Sequence, residues 1–347
     1  MNRKSQSSGD NSNNYQAERM ELNFNGISYT DARSIALDTF NENFPKLAEV
    51  ARKTAEDRAA ELFDCFAEKQ RYNSDAKMES FSDPAFLSGL FEAQKGYALS
   101  GSEKLLSILS ECLSKITTTS PGTIQSISLS EAIKAASILT PEQVNSITLL
   151  FLADRYQHHL VRDDKSLGLF LDQCYQPFLE IADSRSSILH LQYTGCAFSI
   201  DVQATLEKRI KLRYPGLFQT ETTTDEINNL KLEIPRYFPL LRDDNSYSQG
   251  EILNFNSVIA LNRVGVRLGW AQRDIQKLSS LIISKSMPEQ HYKESIIKDR
   301  PYMLDLFNKW NSSQLTRIDI TNIGEAIGYT QMSIHSNIDP EISEWIN

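Results

Sequence analysis

The sequence predicts a mainly α-helical bundle with an N-terminal strand and a C-terminal α+β region holding two related strand–helix units. Three observations predict it. Capping patterns recur from Ser28 to Thr140, each ahead of apolar residues at helical spacing. Period-2 alternation, the mark of a half-buried strand, is confined to a short stretch near residue 20. The phrase "LNRVGVRLGWAQ" (Leu261 to Gln272) returns as "ITNIGEAIGYTQ" (Ile320 to Gln331), with both glycines and the glutamine at the same spacing.

The bulk numbers bound the rest. At 347 residues, with 40% apolar and 23% charged side chains, the chain reads as a globular protein long enough for more than one core. A net charge of −9 argues against coating nucleic acid by bulk electrostatics, which needs clustered Lys and Arg. No apolar run approaches the ~20 residues that span a bilayer, and "MNRKSQSSGDNSNN" lacks the apolar stretch of a signal peptide. A cytoplasmic protein with no membrane contact is expected.

Residues 1–19 are rich in Ser, Asn and charge and are expected to form a disordered tail. Met20, Leu22 and Phe24 then alternate, predicting a strand over 20–27 that ends at an Asn-Gly turn. With no partner strand in view, it is expected either to dock on its own domain or to join another copy, which makes a homo-oligomer the expected state.

A helical domain is predicted over 28–116. "SYTD" is a capping box led by Ser28, for a helix to about Asn43. Pro45 suits the first turn of a long second helix whose stripe is Leu47, Ala51, Ala55, Ala59, Leu62 and Phe66. Asp83-Pro84 begins a third helix, and Ser102 caps a fourth reaching about Ile116.

"TTTSPGT" (Thr117 to Thr123) reads as a linker to a second helical domain over 124–219. There Ser130 is expected to open a short helix, and "TPEQ" supplies an N-cap, an N1 proline and an N3 glutamine for a helix from Pro141 to about Leu160. Further helices are expected at Leu167–Tyr175 and Ala204–Leu212, while Ile188–Ile200 fits helix or strand. The C-terminal region, 220–347, opens with the loop "TETTTDE" and the proline-bearing "EIPRYFPLLRDDNSYSQGE", and holds the repeat at 259–272 and 318–331.

In each copy an extended stretch ("NSVIAL", "LTRIDI") is read as running into a helix capped by Asn262 or Thr321. Gly265 and Gly269, like Gly324 and Gly328, fall four apart on one face. An interior helical glycine costs about 1 kcal/mol relative to alanine, so these four are expected to be structural, letting another backbone approach. "GVRLG" and "GEAIG" lack the phosphate-cradling G-x-G-x-x-G pattern, and no cofactor is implied.

"IDITNIGEAI" (Ile318 to Ile327) resembles the segment after the wing in winged-helix proteins, and is similar to the ends of some bacterial abortive-infection proteins. "NSNNYQA" through "GISYTDA" looks like the opening of an uncharacterised bacterial family associated with phage defence. The resemblances imply a winged-helix-like shape, used for DNA or for protein, and a part in antiviral defence. The first repeat copy departs from the pattern, with Asn262 in place of threonine.

No Walker loop, H-E-x-x-H, G-x-S-x-G or EF-hand loop is present. In "DRYQHH", Asp154 and His158 lie one turn apart, but spacing places no third ligand; a solvated helix face is expected, and no metal site. "RSSILH" resembles the motif of HEPN ribonucleases, which implies His190 as general base and Arg185 as phosphate ligand; Ser186 stands where Asn, Asp or His is usual. "KRIKLRYPGLF" reads as an exposed helix face. In "RVGVRLGWAQR", Arg263, Arg267 and Arg273 are the candidates for contact with nucleic acid. Cys65, Cys112, Cys174 and Cys196 lie far apart and read as reduced, mostly buried thiols.

The expected role is therefore a non-enzymatic, oligomer-forming interaction or sensor protein with a protein partner. A HEPN-like ribonuclease and a winged-helix DNA-binding regulator stand as the alternatives.

Overall fold

The computed structural model describes residues 23–24, 27–43, 49–71, 83–161, 163–220, 222, 224–233, 258–336 and 342–346. The expected tail at 1–19 and most of the proline-bearing stretch after 233 lie outside them, as do Met20 to Leu22 of the expected strand. What is described of that strand is β1 (Asn23–Phe24), and it is not alone. It pairs antiparallel with β2 (Ile27–Ser28), Phe24 opposite Ile27.

Helix starts follow the caps. α1 (Tyr29–Asn43) begins where Ser28 Oγ accepts from Asp31 N at 3.1 Å and the Asp31 carboxylate accepts from Ser28 N at 3.4 Å. Of the stripe expected on α2 (Glu49–Arg71), Ala55, Ala59, Leu62 and Phe66 are buried, Ala51 is exposed, and Leu47 lies outside the described residues. Asp83 caps α3 (Pro84–Ser100) and Ser102 caps α4 (Glu103–Thr118).

The stretch expected as a linker is the end of α4 and a short turn into α5 (Ile124–Ala136), which packs on α4. α5 starts at the Thr123 cap and not at Ser130, whose hydroxyl donates to the Ser126 carbonyl in mid-helix. α6 (Pro141–Asp154) carries the reciprocal Thr140–Gln143 capping box. It stops short of the expected Leu160 because Arg155 and Tyr156 both donate to the Phe151 carbonyl, and Arg213 Nε takes the Ala153 carbonyl at 3.0 Å.

After α7 (Asp164–Cys174), the stretch that fits helix or strand proves to be both: α8 (Arg185–Tyr193), then β3 (Ala197–Ser199). α9 (Leu206–Arg213) follows, and α10 (Thr224–Asn229) begins inside the segment expected to be loop. The remainder is α11 (Val258–Arg267), α12 (Gln272–Ser284), α13 (Glu289–Asp299), α14 (Tyr302–Ser312), β4 (Ile318–Ile320) and α15 (Asn322–Ser336).

One hydrophobic cluster runs from Ala32 on α1 to Ile346, drawing on residues from both sides of the Thr117–Thr123 turn. α15 lies at its centre, packed against α4, α5, α6 and α7 and buried along its length from Gly324 to Met332. α11 and α12 form a satellite with its own small core of Leu261, Ile275, Leu278 and Ile282. The chain is thus mainly helical, as expected.

The two copies of the repeat take unlike shapes. In the second, β4 is the expected extended stretch and Thr321 is the cap, with Oγ1 accepting from Gly324 N at 3.4 Å. A Cβ on Gly324 would overlap the Cys196 carbonyl oxygen; on Gly328 it would lie 2.6 Å from Phe151 Cβ and 3.1 Å from the Ile147 carbonyl oxygen. In the first copy the expected strand "VIAL" is already helix, so Asn262 sits inside α11 and donates to the Val258 carbonyl. Gly269 lies beyond the helix at φ +70° with nothing near its absent Cβ. It ends α11 in a Schellman motif, Trp270 N donating to Gly265 O and Gly269 N to Val266 O. Gly265 meets the tip of the Ile275 side chain, not a main chain.

Nor does a winged helix surround the second copy. β4 pairs with β3, from far upstream, and the helix after it is buried from Gly324 to Met332. A helix so covered has no face to lay in a DNA groove.

Candidate functional site

α15 runs antiparallel to α6. Glu325 meets Arg155 at the end of α6, Gly328 abuts Phe151 and Ile147, and Gln331 reaches the level of Val144 and Asn145. The two glycine contacts draw the helices close and so fix where Gln331 stands. It stands at a cavity of about 240 Å³ between the N-terminal turns of α4 and α6 and the ends of α3 and α5.

The wall of the cavity is apolar, formed by Leu105, Ile108, Leu139 and Val144. Its polar rim is largely engaged. Ser102 Oγ accepts from Leu105 N at 3.4 Å, Ser137 Oγ donates to Ile133 O at 2.9 Å, and Asn145 Nδ2 donates to Glu180 O at 2.7 Å. Gln331 is different. It is 5% exposed, yet its carboxamide has no hydrogen bond to any described residue; only its backbone carbonyl is used, by His335 Nδ1. An unpaired amide costs roughly 1–3 kcal/mol once it is sealed from water, so a molecule filling the space beside Gln331 must pair with it. Gln94 is also unpartnered, but it is 0% exposed and both its amide atoms are sealed from any approach. Of the two, only Gln331 opens onto space that another molecule can enter.

At the other end of α6 lies a charge network. Arg209, 4% exposed, pairs with Asp154, and its Nη2 donates to Ile318 O at 3.1 Å. Arg155 pairs with Glu325 and, at 2.8 Å, with Asp319. Burial pushes the Asp154 carboxyl above its ordinary range against the pull of Arg209, and burial likewise raises Glu325 against Arg155. Asp154 is therefore not on the solvated helix face expected from "DRYQHH". Arg209 is likewise a core residue of the segment expected as an exposed face. With two guanidiniums holding three carboxylates, the network clamps α6, α9, β4 and α15 together.

Residues 26–346 match the model of an uncharacterised protein family. The chain belongs to that family. No curated protein and no solved structure matches it.

In this family member the two residues singled out as catalytic share one helix, α8. Arg185 is exposed in the first turn of α8, and His190, five residues on, falls about 140° away around the helix. His190 Nδ1 lies 3.1 Å from Gln143 Oε1, which also accepts from Thr140 N, so the imidazole is the donor and helps to fix the α6 cap. Arg263 and Arg267 are exposed one turn apart on α11, but Arg273 on α12 is paired with Glu233 and lies 3.6 Å from Asp274. Cys112, Cys174 and Cys196 are buried free thiols, and burial pushes them up to about 12, about 12 and about 11, so none is a thiolate at neutral pH. No helix among the described residues is long and apolar enough to cross a membrane.

Gln331 was in plain view as the last residue of the repeated phrase, legible as a spacing and not as a site. The signal that finds it is a carboxamide on the fully enclosed face of a helix, which only the packing reveals.

Proposed function

We propose that this protein is a non-enzymatic sensor that holds a small molecule in the cavity between α4 and α6 and registers it through α15. The observation that supports this most is the unpartnered Gln331 carboxamide at the cavity, on the helix that touches α4, α5, α6 and α7. A ligand pairing with it would stabilise the centre of the bundle and so couple binding to the rest of the molecule. With the rim hydroxyls and the Asn145 amide engaged, the Gln331 carboxamide is the group best placed to hold a ligand.

Titrating the protein with a mixed library of neutral fragments tests the reading by backbone-amide NMR. Saturable shifts centred on Leu105, Val144 and Gln331 are expected. Fragments that gather elsewhere, or nowhere, sink it.

The remaining parts of the reading are a bacterial cytoplasmic setting, a homo-oligomer built through the N-terminal segment, a protein partner and a role in phage defence, which the resemblances support. For assembly the expectation is concrete. A chain cut to 27–347 should show a lower solution mass than the whole protein by light scattering, and an unchanged mass would remove the N-terminal segment from assembly.

A further inference from the structure

Resting on that reading of the cavity, we infer that its ligand is a small, uncharged, largely apolar molecule carrying an amide-type edge, a donor and an acceptor side by side, as carboxamides and nucleobases present. The Gln331 carboxamide offers a carbonyl acceptor and an NH₂ donor on one planar edge, and neither has a partner among the described residues. A ligand with an acceptor alone or a donor alone would leave half of that edge unpaired in a site where water is largely displaced. An amide edge answers both at once.

The walls set the remainder of the molecule. Leu105, Ile108, Leu139 and Val144 ask for an apolar or flat aromatic body. The cavity, about 240 Å³, is below the ~300–1,000 Å³ of sites for larger ligands, so the body is of fragment size.

Charge is not favoured. Lys104 is the single cation lining the cavity, and one carboxylate, Glu142 in the first turn of α6, lies within its electrostatic reach. The Glu142 carboxyl is held below its ordinary range by its own backbone N–H and the Thr140 hydroxyl, and further by Lys104, so the field of that lysine is already offset. The equivalent glutamine of the first repeat copy, Gln272, is exposed at the start of α12 and lines no comparable space.

Four probes of similar size separate the possibilities: benzamide, adenine, benzoate and toluene, each titrated into the full chain and into Gln331→Leu by ligand-observed NMR. Benzamide or adenine is expected to bind wild type and to weaken at least about tenfold in Gln331→Leu, with toluene unaffected. Whichever of the first two binds more tightly assigns the edge to a carboxamide or to a nucleobase. Should Gln331→Leu not fold, Gln331→Met carries the comparison, and a shift of the wild-type Gln331 NH₂ resonance on adding benzamide reports the contact without any variant. Benzoate or toluene binding wild type as tightly as benzamide overturns the amide edge while leaving the cavity a binding site. Amide probes whose binding ignores Gln331 overturn it too. If none of the four binds, both the edge and the sensor reading fall.

Discussion

Arg209→Met is expected to destabilise the protein by about 3 kcal/mol, the low end of the range for removing one partner of a buried ion pair. The low end applies because Arg155 and Arg213 also act on Asp154 and would partly replace the lost charge. Their help is incomplete, since the variant also strips a donor from the Ile318 carbonyl and loses the stacking of the guanidinium over Trp310, 5.6 Å from its ring centre. The pH dependence follows from Asp154, whose folded-state pKa is raised by burial despite Arg209. A raised carboxyl favours the fold below its unfolded pKa and loses that contribution as pH climbs through the folded value. Without Arg209 the folded value rises further, so the deficit relative to wild type should be largest near neutrality and shrink as acid protonates Asp154. Urea unfolding of both proteins from pH 4 to 8 measures it. A deficit that grows toward acid would contradict the assignment, and Arg209→Met/Asp154→Leu should recover much of the loss.

The second large effect separates the two halves of the repeat. Gly324→Ala gains about 1 kcal/mol of helix propensity, yet its methyl must displace the Cys196 carbonyl oxygen, main chain that cannot rotate aside. That carbonyl also accepts from Thr321 N at 3.1 Å, so a shift disturbs the junction of β3, β4 and α15. A net loss of about 2 kcal/mol is expected. Gly269→Ala meets no atom within 4 Å and suffers only from φ +70°, about 1 kcal/mol. Equal losses in the two, by the same denaturation assay, would count against the packing described for α15.

These contrasts show what could be read from the chain. Local chemistry was legible. Ser28, Asp83, Ser102 and Thr140 each start a helix where their hydrogen-bonding side chains dictate. The two copies of the repeat differ in shape because equal spacing does not fix where a helix begins. α11 starts before Asn262, so its second glycine falls past the end, where Gly is favoured as a terminator, while α15 continues beyond Gly328. Pairings across long stretches of chain were invisible: Asp154 with Arg209, β3 with β4, His190 with Gln143. The cavity is of that kind, assembled from the ends of four helices and one side of a fifth, so no single segment announces it.

The position of α15 has a consequence for biosynthesis. The helix that fills the middle of the bundle is translated after every helix it touches, α4 to α7. At about 5–20 residues per second, roughly ten to thirty seconds separate the emergence of α6 from that of α15. For that interval the nascent chain leaves open the face of α6 around Ile147 and Phe151, so a ribosome stalled before residue 322 should hold an unclosed, chaperone-dependent shell.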